Sequence, residues 1–292
     1  MWGEAHPEYA TSLINLATLY RDRGDYAHAE PLFLQALEIN KKALGTDHPT
    51  YASYLSVLAA LYEATADYAR AEPLYRQALE IRKKTQGTDH PAYAMTLNNL
   101  GWMYREMGNY ARAERLLRQV LEIHKKTQGT DHPDHAASLN NLAELYWAMA
   151  DYARAEPLFR GALEIRKKAL GTDYPLYASS LSGLAALYEH MADYTRAEPL
   201  LRQALEIRKK ALSTDHPDYA DSLNNLAMLY WAMGDYNVGS TADTSSSSTS
   251  PRTASSSRPP VSPPSAPRSA ARIPSRCASG PRRPGRTRRP SP

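Results

Sequence analysis

Apolar and polar positions alternate along this chain in two helical rhythms. Between Gly87 and Gln128, Leu97, Leu100, Gly101 and Tyr104 fall at i, i+3, i+4 and i+7, which is one face of an α-helix. A second stretch runs from Tyr110 through Ala113, Leu117, Val120, Leu121 and Ile123 to Lys125 and Lys126. It predicts another helix, with both lysines where cations favour the C-terminus. Pro91 suits the first position of the first helix, where its missing N–H costs nothing, and Asp89 or His90 can cap the free donors there. Gly108 predicts a left-handed stop, and Asn109 the cap of the second helix.

The whole pattern recurs every 42 residues, marked by Pro7, Pro49, Pro91, Pro133, Pro175 and Pro217. Such a period signals stacked repeats, each hiding its apolar face only against the next. The units span about 3–44, 45–86, 87–128, 129–170 and 171–212, with a partial unit at 213–237. Each reads as a hairpin of two helices. Small residues at Ala17, Ala59, Gly101, Ala143, Ala185 and Ala227, and again at Ala29, Ala71, Ala113, Ala155 and Ala197, let the paired helices approach closely. Pro31, Pro73, Pro157 and Pro199 lie inside the second helix, where each removes a backbone hydrogen bond, so a bend near its start is expected.

The spacing Leu97-x2-Leu100-Gly101-x2-Tyr104, continued by Ala113 and Leu117, resembles a tetratricopeptide repeat. Long units reading L-N-N-L-A-x-L-Y, G-D-Y-x-x-A-E-P-L, A-L-E-I-R-K-K and G-T-D-H-P are similar to those of the kinesin light chain type. HEAT repeats have a similar period but lack this pattern of small residues and Tyr. The resemblance covers residues 3–237 and implies an all-α, right-handed superhelical solenoid of helical hairpins. It also implies a non-catalytic protein-interaction scaffold whose first helices line a concave groove. A kinesin light chain-like cargo adaptor, or the sensor part of a larger signalling protein, is the alternative; upstream heptads would favour the first and a catalytic domain the second.

Because the units are near copies, the positions that differ among them are informative. They gather on the first-helix face opposite the core stripe. Asn15, Asn98, Asn99, Asn140, Asn141, Asn224 and Asn225 are expected to bond a partner's extended backbone there, with Trp102, Trp147 and Trp231 as aromatic anchors. Arg21, Arg105, Glu144 and Glu189 complete the candidate peptide-binding set. The competing reading has the amides bonding between hairpins and the indoles packing along them. Asp22, Glu63, Glu106, Glu144, Glu189 and Asp221 outnumber Arg21 and Arg105 on this face, so a neutral or basic peptide is the expected partner.

Composition divides the chain near Asn237. Residues 1–237 carry 25 Lys/Arg and 30 Asp/Glu, whereas residues 238–292 carry ten Arg, no Lys and one acid, Asp243. That second segment, rich in Ser, Pro, Arg, Ala and Thr, is expected to be disordered. Arg282, Arg283, Arg286, Arg288 and Arg289 would suit non-specific contact with nucleic acid or an acidic membrane surface if the tail is genuine. An out-of-frame reading of GC-rich DNA also yields this composition, and the break inside a helix favours it. The break leaves Leu226 and Tyr230 without a covering second helix, so self-association through the uncapped last helix is expected.

Cys277 is the lone cysteine, and no run of 18 apolar residues or secretory leader is evident, so a soluble cytoplasmic protein is expected. No phosphate loop, nucleophile elbow or Cys/His cluster appears, and no enzyme, cofactor, metal or specific nucleic-acid partner is expected. His6, His48, His90, His132 and His216 read as helix starts, with Tyr174 in the same slot, and the His132/His135 pair is also read as capping. The Glu-Ile-Arg-Lys-Lys runs, such as Glu80 to Lys84 and Glu206 to Lys210, read as solvated helix ends.

Overall fold

The computed structural model describes residues 6–234, all within one compact unit, Met1–Thr241. The expected disorder of residues 238–292 and the break after Asn237 lie outside the described residues. Among these residues there are eleven α-helices and no strand. First helices are α1 (Pro7–Asp22), α3 (Pro49–Ala64), α5 (Pro91–Glu106), α7 (Pro133–Ala148), α9 (Pro175–His190) and α11 (Pro217–Met233). Second helices are α2 (Tyr26–Leu44), α4 (Tyr68–Thr85), α6 (Tyr110–Gln128), α8 (Tyr152–Leu170) and α10 (Tyr194–Ala211).

Local chemistry explains the boundaries. Proline opens each first helix, and the Nδ1 of His6, His48, His90, His132 and His216 accepts an N–H two residues on, at 3.1–3.2 Å. Tyr174 opens α9 without a side-chain cap. Asp25, Asp67, Asn109, Asp151 and Asp193 cap the second helices. Between the two helices the chain passes through the left-handed region at Gly24, Ala66, Gly108, Ala150 and Ala192. Pro31, Pro73, Pro157 and Pro199 lie inside helices that continue past them. The carbonyls they free belong to Ala27, Ala69, Ala153 and Thr195, all exposed residues, where solvent is free to take the place of the lost donor.

One apolar core threads the stack from Ala17 to Leu229. Alanines at the close-approach positions are fully buried except Ala227 on α11, which is exposed, and Gly101 stands where a Cβ would come within 3.1 Å of Leu117 Cδ2. Successive units are locked by a repeated polar contact. The hydroxyls of Tyr62, Tyr104, Tyr146, Tyr188 and Tyr230 donate to Glu30, Glu72, Glu114, Glu156 and Glu198 of the preceding unit at 2.7–3.0 Å. Arg70, Arg112, Arg154 and Arg196 lie over the first four of those rings, 4.0–5.3 Å from their centroids.

A second lock overturns the solvated reading of the Glu-Ile-Arg-Lys-Lys runs. Their isoleucines and arginines, Ile81, Arg82, Ile207 and Arg208, are buried, and only the flanking Glu and Lys reach solvent. Arg82 donates to Thr96 Oγ1 and to the Ala92 carbonyl at 2.7 Å; Arg166 reaches Ser180 at 2.5 Å and Arg208 reaches Ser222 at 2.6 Å. Burial pulls the Arg82 guanidinium down to about 10. The next unit's first helix meets part of this charge and the unit's own first helix another part, Arg82 donating to Ser53 at 3.1 Å and Arg208 to Ser179 at 3.2 Å, while Arg82 Nε and Arg208 Nε have no hydrogen-bond partner among the described residues.

Candidate functional site

First helices approach one another directly, α3 against α5 and α7 against α9, and among the described residues no pair of second helices does so to the same extent. The first-helix row is therefore the inner, shorter side of the stack. On it the variable side chains form a band across α5, α7 and α9. Asn141 Nδ2 donates to Asn98 Oδ1 at 2.7 Å, tying α7 to α5, and Asn140 Nδ2 donates to Glu144 Oε1 at 2.6 Å. The Arg105 guanidinium lies 4.8 Å from the Trp102 ring centroid and donates to Glu106 at 2.8 Å. Trp147 meets His190 of α9 edge to face, centroids 4.9 Å apart at 75°.

The electrostatics of the band are uneven. Desolvation pushes the Glu144 carboxyl up to about 6, opposed by the Arg105 charge and by the Asn140 bond. Desolvation alone pushes Glu189 up to about 7. Burial lowers the pKa of His190, which favours the neutral ring. Glu63 does not belong to the solvated acidic face. It is buried and accepts from the Tyr75 hydroxyl at 2.9 Å, so its charge does not count against an acidic ligand.

The sequence-predicted residues therefore divide. Asn98, Trp102, Arg105, Asn140, Asn141, Glu144 and Trp147 are drawn together by the contacts above. Glu189 is adjacent in sequence to the His190 that meets Trp147, and Asn99 is half-buried on α5. Asn15 and Arg21 lie apart on α1, where Arg21 pairs with Asp22 at 2.8 Å. Asn224, Asn225 and Trp231 lie on α11, and Trp231 is 65% exposed. The competing reading holds in part. Asn98 and Asn141 do bond between hairpins, and Trp147 is half-buried against the core.

His190 is the residue missing from the predicted set, although its slot, which varies from unit to unit, could have drawn attention to it. His135 is not a cap; it is buried inside α7 in the slot that holds Tyr51, Tyr93 and Tyr177 elsewhere. On α11, Leu223, Met228 and Met233 are exposed along with Trp231. Among the described residues no helix is long and apolar enough to cross a membrane, and no group of three or more His, Cys, Asp or Glu could hold a metal.

Comparison with known proteins adds to this geometry. The tetratricopeptide repeat model matches residues 8–84, 67–126, 113–168, 134–210 and 176–238. The array is similar to the crystal structure of the nearly identical TPR-like repeats of a candidate kinesin light chain from Podosopora anserina. The two are 30% identical with a TM-score of 0.60, and the match covers 71% of this chain and 99% of that one. It shares its fold with BtubC (BKLC) from P. vanneervenii, at 22% identity and TM-score 0.58, covering 85% of this chain and 97% of that one. A Rap protein solved in complex with Competence and Sporulation Factor also shares the fold, at 16% identity and TM-score 0.61, covering 77% of this chain and 60% of that one. No curated protein matches the sequence.

Proposed function

The chain belongs to the tetratricopeptide repeat family, and from that premise we propose that it is a non-catalytic scaffold whose inner row of first helices receives an extended peptide from a partner protein. The observation that carries this reading is the amide pair between α5 and α7. The bond from Asn141 Nδ2 to Asn98 Oδ1 fixes both side chains, and Asn98 Nδ2 and Asn141 Oδ1 have no partner among the described residues. One spare donor and one spare acceptor, side by side, match the carbonyl and N–H of an extended backbone. Trp102 and Trp147 flank this pair along the band, as apolar anchors beside polar readout. The partner is neutral or basic, because Glu189 has no counter-charge and Glu144 is only partly offset by Arg105 and Arg166, while Arg21 and Arg105 already pair with Asp22 and Glu106.

The Rap neighbour is solved with Competence and Sporulation Factor, which is compatible with ligand recognition on this fold. Similarity to the Podosopora repeats keeps a kinesin light chain-like adaptor as a narrower form of the same scaffold. The test is binding of the full chain to a peptide array, repeated with Trp102→Ala combined with Asn141→Ala. Loss of at least tenfold in affinity for the bound peptides is expected. Unchanged binding would remove the groove from consideration.

A further inference from the structure

Glu63 and Glu189 occupy the same place in the 42-residue period, on α3 and α9, yet they meet different fates. Glu63 accepts the Tyr75 hydroxyl of α4. The position equivalent to Tyr75 on α10 is Leu201, so the donor is absent. The Glu189 side chain makes no hydrogen bond or ion pair among the described residues, although it is drawn partly out of water. The buried arginines of α8 and α10 are committed elsewhere: Arg166 acts on Glu144, and Arg208 is bonded to Ser222 and drawn to Asp218 and Asp221. At the level of Glu189, one period before and one after, stand Trp147 of α7 and Trp231 of α11. The first is fixed edge-on to His190 and the second is open to solvent.

We propose that Glu189, with Trp147 and Trp231 on the flanking first helices, is a seat for one cationic side chain, lysine or arginine, of the bound peptide. This rests on the groove reading and narrows it. An ammonium or guanidinium group over an indole face gains from the ring quadrupole, and a carboxylate beside it completes the charge match. Much of the cost of desolvating Glu189 is already met in the free protein, so the seat is prepared before the ligand arrives. The cation replaces, from outside the chain, the hydrogen bond that Tyr75 gives Glu63 within it.

The test uses the full chain and the pentapeptides acetyl-Ala-Ala-Xaa-Ala-Ala-amide, with Xaa as Lys, Arg, Leu or Glu. Binding is followed through the indole N–H resonances of the tryptophans. The Lys and Arg peptides are expected to shift the Trp147 and Trp231 signals and to bind at least tenfold more tightly than the Leu and Glu peptides. Glu189→Gln should abolish that preference. Leu201→Tyr, which restores the donor that Glu63 enjoys, should weaken Lys binding in the same direction.

Equal binding of the Leu peptide, no binding of any pentapeptide, or Lys binding unaffected by Glu189→Gln would overturn the seat. If array peptides still bind and are lost on Trp102→Ala with Asn141→Ala, the groove survives that result. If they are not lost, both readings fall.

Discussion

Three hairpin turns hold a residue the backbone does not favour. Ala66, Ala150 and Ala192 sit at φ of 58°, 58° and 57°, in the place where Gly24, Gly108 and Gly234 sit at 77°, 71° and 75°. A left-handed conformation costs a residue with a Cβ about 1–2 kcal/mol. At the three glycines an added Cβ would meet nothing within 4 Å, so packing returns nothing in exchange. Glycine loses about 0.5–1 kcal/mol more conformational entropy on folding than alanine, which offsets part of the gain. The net expectation is a stabilisation of about 0.5–1 kcal/mol for each of Ala66→Gly, Ala150→Gly and Ala192→Gly. The sites lie in separate units, so the triple variant should gain about 1.5–3 kcal/mol. Urea unfolding of the full chain, followed by far-ultraviolet circular dichroism, should shift its midpoint upward by about 0.2–0.5 M per site for a slope near 2–3 kcal/mol per molar. Gly108→Ala should shift it downward by a similar amount. A midpoint that falls for Ala150→Gly, or does not move for Gly108→Ala, refutes the argument.

Two further outcomes are expected. Tyr174→Asp gives α9 the side-chain cap that the other first helices have, and should raise the thermal midpoint through a gain of about 1 kcal/mol; a lowered midpoint would count against the capping account. Glu189 titrates near 7 in the folded chain against 4.5 ordinarily, so its contribution is fully present below about pH 4.5 and is lost as pH rises through 7. That displacement is worth about 3.4 kcal/mol unscreened and about 2 kcal/mol after solvent screening of this partly exposed carboxylate, so Glu189→Gln should gain on the unsubstituted chain by about 2 kcal/mol between pH 4.5 and pH 8, and a pH-independent difference in urea midpoints would contradict this.

The helices were legible because each is announced twice, once by its apolar rhythm and once by its cap. Asp89 or His90 was expected to cap α5 and Asn109 to cap α6; His90 and Asn109 do so. The buried arginines were not legible from their own segment, because Arg82 sits between Ile81 and Lys83 in a run that reads as a charged helix end. The signal lies 14 residues on, where Thr96, Ser180 and Ser222 supply the acceptors for Arg82, Arg166 and Arg208. Where His124 replaces the arginine it still meets Ser138, at 2.7 Å. In the first unit the column reads Asn40 and Tyr54, and the buried Asn40 amide has no partner among the described residues. Glu63 shows the same limit at the site. Its burial depends on Tyr75, a residue of the neighbouring helix, and nothing in the first-helix pattern distinguishes it from Glu189.

These paired columns also explain how a site can vary on a frame that does not. The Tyr–Glu contacts and the Arg–hydroxyl contacts fix each unit on the next through side chains on the second helix and on the edges of the first. At the Asn98 position Ser182 accepts from Arg208 at 3.3 Å, but neither lock uses the Trp102 or Arg105 positions. Substituting those positions from unit to unit, as Trp102 to Glu144 or Arg105 to Trp147, therefore changes what the inner row presents without loosening the stack. Recognition is set by the order in which units with different inner residues follow one another. On that account, exchanging Glu144 of α7 with Ala186 of α9, the Trp102 position in those units, should alter ligand choice while leaving unfolding midpoints nearly unchanged.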